Sequence, residues 1–164
     1  MVYYVIIRGP VGVGKSVVAK SLAKQIEGVH ISIDRILEEE NFEDSGEDGF
    51  ISHKGFLKAN EFAANLAKEH MKNGKSVIFD GSFYWKSQID SLIEIMDTRH
   101  YVFTLKADFD ILVGRDDKRE SGSVGKEALR EGLSKISSFY DGFVINTNKK
   151  NSAEVVGEIL FHLK

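Results

Sequence analysis

The segment Gly9-Pro10-Val11-Gly12-Val13-Gly14-Lys15-Ser16 has the spacing G-x-x-x-x-G-K-S, a pattern suited to holding a polyphosphate. Glycines let consecutive backbone N–H groups turn toward one anion without Cβ clashes. A helix starting after Gly14 would aim its positive end at the same point. Lys15 has the reach for the β- and γ-phosphates, and Ser16 offers a hydroxyl to Mg²⁺. Val17 follows, with an apolar side chain that leaves the backbone cradle intact. The expected binding set is Gly9, Pro10, Val11, Gly12, Val13, Gly14, Lys15, Ser16 and Val17, with ATP and Mg²⁺ as ligands.

Two carboxylates stand at the ends of apolar runs. Asp80 closes Val77-Ile78-Phe79 and would lie beside the glycine loop if the two strands are neighbours, where it could hold Mg²⁺ with Ser16. Asp80-Gly81-Ser82 is also good turn chemistry, so a local cap is the competing role. Asp34 closes Val29-His30-Ile31-Ser32-Ile33 and could orient or deprotonate an attacking hydroxyl. A helix N-cap at Asp34 is compatible with that role. Arg115 and Arg119 are four residues apart, so on a helix they share a face. A Ser121-Gly122-Ser123 break follows, which suits a lid over about 115–124 able to neutralise a phosphoryl group. The competing role is a solvated pair bridged to Asp116 or Glu120.

These side chains need a frame, and the hydrophobic pattern supplies one. Strand-like and helix-like segments alternate along the chain, which predicts a parallel sheet covered by helices on both faces. The strands are Val2–Ile7, Val29–Ile33, Ser76–Phe79, Tyr101–Leu105 and Gly142–Ile145. Helices are expected at about 15–26, in a short piece through Leu37, and at 56–71. Further helices are expected from Trp85 to Met96, from an Asp108 cap to about Arg119, around Leu129–Ile136, and at Ser152–His162. Asn151 and Glu154 have the spacing of a capping box for the last helix. The acidic stretch of about 38–55 has no periodicity and reads as a mobile loop.

A length of 164 residues with 42% hydrophobic and 29% charged composition suits one domain spanning 1–164. Net charge is −3 and no basic stripe is visible, which argues against a nucleic-acid partner. No apolar run is long enough to span a membrane. No secretory leader is visible, and the absence of cysteine permits a reducing compartment, so a cytoplasmic protein is expected, as monomer or homodimer. Acidic residues from Glu38 to Asp48 disfavour a polyanionic substrate. Phe83, Tyr84 and Trp85 could wall an acceptor pocket or simply fill the core. His30, His70, His100 and His162 have no metal-ligand spacing and receive no role.

The glycine loop, the Ile33-Asp34-Arg35 corner, the Phe79-Asp80-Gly81-Ser82 strand end and the Arg115/Arg119 pair together resemble the adenylate-kinase-like branch of P-loop kinases. The nearest likeness is to the group of chloramphenicol phosphotransferase, zeta toxins and polynucleotide kinase domains. That resemblance implies a P-loop NTPase three-layer α/β/α sandwich with a five-stranded parallel sheet in the order 2-3-1-4-5. It also implies transfer of the γ-phosphate of ATP to a hydroxyl of a small acceptor: a nucleoside, nucleotide, sugar or antibiotic. Lys15 and Ser16 match the phosphate-loop pair, Asp34 the acceptor-side base, and Arg115 and Arg119 the lid arginines. The segment with Asn148 corresponds to the one packed beside adenine.

A GTPase would need a carboxylate where Asn151 stands, and a neutral amide cannot accept from the guanine edge as a carboxylate does. An AAA-type motor would need a sensor region and helical lid for which the chain offers no room. A nucleotide-binding regulatory module with slow ATP hydrolysis is the alternative from another class. It differs from a kinase in having no acceptor that accelerates ATP consumption.

Overall fold

The computed structural model of the chain describes residues 1–42 and 52–164. Five strands, β1 (Tyr4–Arg8), β2 (Val29–Ser32), β3 (Val77–Gly81), β4 (His100–Lys106) and β5 (Phe143–Asn146), form one sheet in the order β2-β3-β1-β4-β5. Every pairing is parallel. The helices are α1 (Lys15–Gln25), α2 (Ile33–Glu39), α3 (His53–Lys72), α4 (Lys86–Met96), α5 (Phe109–Asp116), α6 (Lys126–Ser137) and α7 (Ser152–His162). The strand order and the α/β/α layering are those implied by the kinase resemblance.

Strand alternation divides the core. Val5 and Ile7 of β1 pack with Val18 and Leu22 of α1 and with Val155 and Ile159 of α7. Tyr4 and Ile6 face the other way, onto Phe56, Ala59 and Ala63 of α3 and Ile89 and Leu92 of α4. Because side chains alternate across a strand, a central strand buried on both faces favours apolar residues in succession, which explains the run Tyr4–Ile7 ahead of Arg8. α7 begins with the expected reciprocal cap: Glu154 N–H donates to Asn151 Oδ1 (2.9 Å), and Asn151 N–H donates to Glu154 Oε2 (2.7 Å).

Three boundaries differ from expectation. Asp34 does not end β2. Ser32 is the N-cap of α2, its Oγ accepting from Arg35 N–H at 3.4 Å, and Asp34 lies in the first turn. The acidic loop is shorter at both ends. Glu38 and Glu39 complete α2, while α3 starts at His53 behind a Ser52 cap that accepts from Gly55 N–H at 3.0 Å. Glu43, Asp44, Glu47 and Asp48 lie outside the described residues.

The third difference is in α5, which stops at Asp116, so Arg119 is off the helix and does not share its face with Arg115. The buried Asp116 carboxylate draws the chain back. It accepts from the Ser123 hydroxyl (2.6 Å) and from the N–H groups of Val124 (3.0 Å) and Gly125 (3.2 Å).

Gly142 marks the tightest approach before β5. Its φ is +66°, and a Cβ there would stand 2.0 Å from Val102 O. Gly142→Ala is therefore expected to destabilise the fold by at least about 2 kcal/mol through strain at positive φ. At roughly 2–4 °C per kcal/mol for a chain this size, Tm falls by about 4–8 °C in thermal unfolding.

Candidate active site

β1 delivers the glycine loop to the carboxyl edge of the sheet, where open α/β folds gather their ligands. Gly9 has no room for a side chain, since a Cβ would lie 2.6 Å from Leu105 O in β4. Gly14, at φ +97°, is the left-handed N-cap from which α1 departs. The loop closes on itself, with Val13 N–H donating to Pro10 O at 3.3 Å. Lys15 is 8% exposed, and its Nζ donates to the same Pro10 carbonyl at 3.1 Å. Burial pushes the Lys15 ammonium pKa down, while the nearby carboxylates of Asp34 and Asp80 act to raise it.

Asp80 is fully buried at the end of β3. Register sets Ser32 of β2 directly beside it. Its Oδ1 accepts from Ser16 Oγ (3.3 Å) and Ser32 Oγ (3.4 Å), and its Oδ2 contacts His30 Nε2. The Ser16–Asp80 contact brings together the two residues expected to serve Mg²⁺. Among the described residues no cluster of three or more His, Cys, Asp or Glu side chains is arranged for a metal. One carboxylate and one hydroxyl, both hard oxygen donors, suit Mg²⁺, which keeps several waters and shares phosphate oxygens rather than filling a protein cage.

Asp34 faces the same region, and its Oδ1 accepts from Ser82 N–H at 3.5 Å. A cleft of about 640 Å³ is lined by Val11, Gly12, Gly14, Lys15, Ser16, Val17, Lys20, Asp34, Arg115, Arg119, Glu120 and Ser121. The residues singled out from the glycine loop, the Asp34 corner and the arginine pair thus meet at one opening. The two arginines have different partners there. Arg115 donates to Thr147 Oγ1 (2.9 Å), Thr147 O (2.8 Å) and Val13 O (3.4 Å), which stitches α5 to the β5–α7 turn and to the loop. Arg119 lies 3.6 Å from the Asp116 carboxylate.

A smaller hollow of about 260 Å³ lies on the far side of Arg115, between Val13, Val17, Thr147, Asn151 and Val155. Asn148 is beside it in sequence but turned to another task. Its Oδ1 accepts from Asp108 N–H at 2.8 Å, which ties the β4–α5 turn to the β5–α7 turn. Of the aromatic trio, Phe83 is entirely buried core, while Tyr84 and Trp85 are partly exposed. Lys135 Nζ sits 5.0 Å from the centre of the Trp85 ring.

Sequence reasoning gave no part to Arg8, which is completely buried. Its guanidinium donates to Phe83 O (3.2 Å), Thr104 Oγ1 (3.4 Å), Phe139 O (3.1 Å) and Ile136 O (3.2 Å), and lies 4.1 Å from the centre of the Phe139 ring. Burial lowers its pKa to about 10, against the opposing pull of Asp141 and Tyr140. A charged residue ending an apolar run was the available signal, and it reads equally well as a strand leaving the core. His30 was also passed over, because its contact depends on the β2–β3 register.

A family model described as an AAA domain matches residues 5–140. The chain belongs to the AAA domain family. A motor function does not follow from that membership. No curated protein matches the sequence of this AAA-domain chain.

Solved structures share its fold. A sugar kinase from Janibacter sp., in an unliganded structure, has a TM-score of 0.81 at 18% identity, covering 99% of this chain and 95% of its own. A gluconokinase from Sinorhizobium meliloti has a TM-score of 0.76 at 19% identity, covering 98% and 90%. A tunicamycin resistance protein from Deinococcus radiodurans has a TM-score of 0.72 at 16% identity, covering 99% and 96%. At these identities the likeness is one of fold, and the fold is that of small P-loop kinases. Among the described residues no helix is long and apolar enough to cross a membrane.

The Asp116 latch of this AAA-domain chain gives a test. The Ser123 hydroxyl, the Val124 and Gly125 amides and Arg119 hold its carboxyl pKa below the ordinary value. A depressed folded-state pKa means the stabilisation is present above the unfolded value and lost only as pH falls through the lower one. The 117–125 segment should therefore resist limited proteolysis through mildly acidic pH. Asp116→Asn, with one acceptor oxygen in place of two, should raise cleavage there roughly tenfold or more at neutral pH.

Proposed function

We propose that the chain is a kinase that moves the γ-phosphate of ATP to a hydroxyl group of a small acceptor. The observation that supports this reading is the convergence of Lys15, Ser16, Asp34, Arg115 and Arg119 on one open cleft at the carboxyl edge of the sheet. A structural glycine turn would not need a buried lysine, a carboxylate and two arginines around it. The kinase names of the fold relatives point the same way.

In this reading the loop amides and Lys15 bind the polyphosphate. Lys15 and Arg119 supply positive charge where the transferring group becomes most anionic. Arg119 is suited to that role because, among the described residues, its side chain pairs with one carboxylate and is 35% exposed. Arg115 contributes from the base of the cleft, held by Thr147. Asp34 takes the proton of the acceptor hydroxyl as that oxygen bonds to the γ-phosphorus. The bond from phosphorus to the β–γ bridging oxygen breaks, and ADP leaves. Ser16 and Asp80 would hold Mg²⁺, which when bound offsets charge on the phosphate oxygens.

The hollow beside Thr147 and Asn151 is the place for adenine, with Asn148 shaping the turn. The acceptor would enter past Ser82 and Tyr84, on the side to which Asp34 turns. The segment of about 115–124 serves as a short lid, and residues 1–164 act as one domain. The cytoplasm, where ATP is abundant, fits this reading.

Two variants separate binding from transfer. Lys15→Ala should weaken MgATP binding by about 100-fold or more in isothermal titration, since a buried phosphate would lose its cation. Asp34→Asn should bind MgATP within about threefold of the parent yet lose roughly 10²–10⁴ in kcat, the usual share of a general base. The acceptor for that assay comes from a panel of nucleosides, nucleotides, sugars and aminoglycosides, scored by acceptor-stimulated ATP consumption. Transfer at the parent rate by Asp34→Asn rules out the base role. Slow phosphate release unchanged across the panel favours a regulatory module without an acceptor.

A further inference from the structure

One partly buried contact has no part in the kinase reading. His30 lies on β2, the edge strand, opposite Ile78 of β3, and Ser32 lies opposite Asp80. Residues two apart on a strand share a face. His30, Ser32, Ile78 and Asp80 therefore all point to the side where Ile78 packs against α1. Asp80 meets Ser32 directly beside it, His30 one pleat back, and Ser16 reaching across from α1. Its side chain is 1% exposed and that of His30 16%.

The two carboxylate oxygens are engaged differently. Oδ1 accepts from the hydroxyls of Ser16 at 3.3 Å and Ser32 at 3.4 Å. Both hydroxyls can rotate away, because a hydroxyl hydrogen is free to turn. Oδ2 is held by His30 Nε2, on a rigid planar ring carried by the sheet backbone. Between an imidazole nitrogen and an ionised carboxylate the nitrogen must carry the proton, so Nε2–H donates. Without that donor, Oδ2 would be a buried charged oxygen lacking its partner, and the carboxyl group would be free to swing toward the other cation at the site, Lys15.

We propose that His30 is a positioning residue for Asp80. It fixes Oδ2 and so presents Oδ1 to Ser16 and to the divalent cation that accompanies the nucleotide. The proposal rests on the kinase reading of the cleft. Its physical basis is general: carboxylates that bind metals are themselves hydrogen-bonded from behind, and loss of such a partner costs about 10–100-fold in metal affinity. His30 also stands between Asp80 and an outer groove of about 460 Å³ that includes Lys20, Arg35, Glu39 and His70. It thereby separates the carboxylate from water on the open edge of the sheet.

The test measures ADP binding by isothermal titration with magnesium and with EDTA, in the full chain and in His30→Ala and His30→Gln. The ratio of the two affinities isolates the contribution of the cation. His30→Ala should reduce that ratio by roughly tenfold or more while leaving ADP affinity in EDTA within about twofold of the parent. His30→Gln, which keeps an N–H donor, should recover most of it.

A merely structural histidine would weaken both affinities alike, so equal losses in magnesium and EDTA overturn the proposal. A ratio in His30→Ala equal to that of the parent overturns it too. A parent chain that takes up no ADP in either condition overturns the kinase reading itself, and the proposal with it. That result is distinct from the other two.

Discussion

Arg8 carries its charge into the buried interior of the molecule, one residue before the glycine loop begins. A cation there is costly unless each donor finds an acceptor. The surrounding chain supplies them from separate elements: Phe83 O past the end of β3, Thr104 Oγ1 in β4, and Ile136 O and Phe139 O at the end of α6. Two of these carbonyls lie where the α6 macrodipole is negative, which favours a cation. The guanidinium is thus the common partner of the strand that launches the loop, the turn that follows Asp80, and the helix that follows the Arg119 segment. Displacing it would strand three carbonyls, one past β3 and two at the end of α6, together with the Thr104 hydroxyl in β4.

The other buried charges are organised around that fixed point. Lys15 and Asp80 are both removed from water and each is held by neighbours: Lys15 by a loop carbonyl, Asp80 by two hydroxyls and an imidazole. Separate partners keep the cation and the carboxylate from neutralising each other. The arginines follow the same pattern at the rim. Arg115 is committed to Thr147 and Val13, while Arg119, among the described residues, pairs with Asp116, which itself accepts from the amides and hydroxyl of the following turn. Side-chain hydrogen bonding therefore thins outward, from Arg8 through Arg115 to Arg119.

Much of the frame could be read from the sequence because it rests on local rules. The unbroken Val5-Ile6-Ile7 run, the glycine spacing and the Asn151/Glu154 cap each depend on residues close together in the chain. The cleft was legible for the same reason, since Lys15, Asp34 and Arg115 all follow strand ends that a parallel sheet brings to one edge. Features set by distant pairing were not legible. His30 meets Asp80 only through the β2–β3 register, and Arg8 stays inside only because acceptors arrive from Phe83 and from α6. The end of α5 depended on a carboxylate, Asp116, whose partners come seven to nine residues later. Helical periodicity contains no sign of that. Asn148, tied to the nucleotide by the family resemblance, also accepts from Asp108 N–H, a meeting of two distant turns that no local rule foretells.

The Pro10 carbonyl under Lys15 has a consequence for selectivity. With that oxygen in place the ammonium is never bare, so an arriving anion must outcompete a neutral dipole already seated at 3.1 Å. A weak monovalent ion gains little from the exchange and gives up its own hydration. A polyphosphate tail offers several charges and meets a loop whose shape is already set, so little ordering remains to be done. On the kinase reading, the internal carbonyl acts as a threshold that common small ions fail to cross.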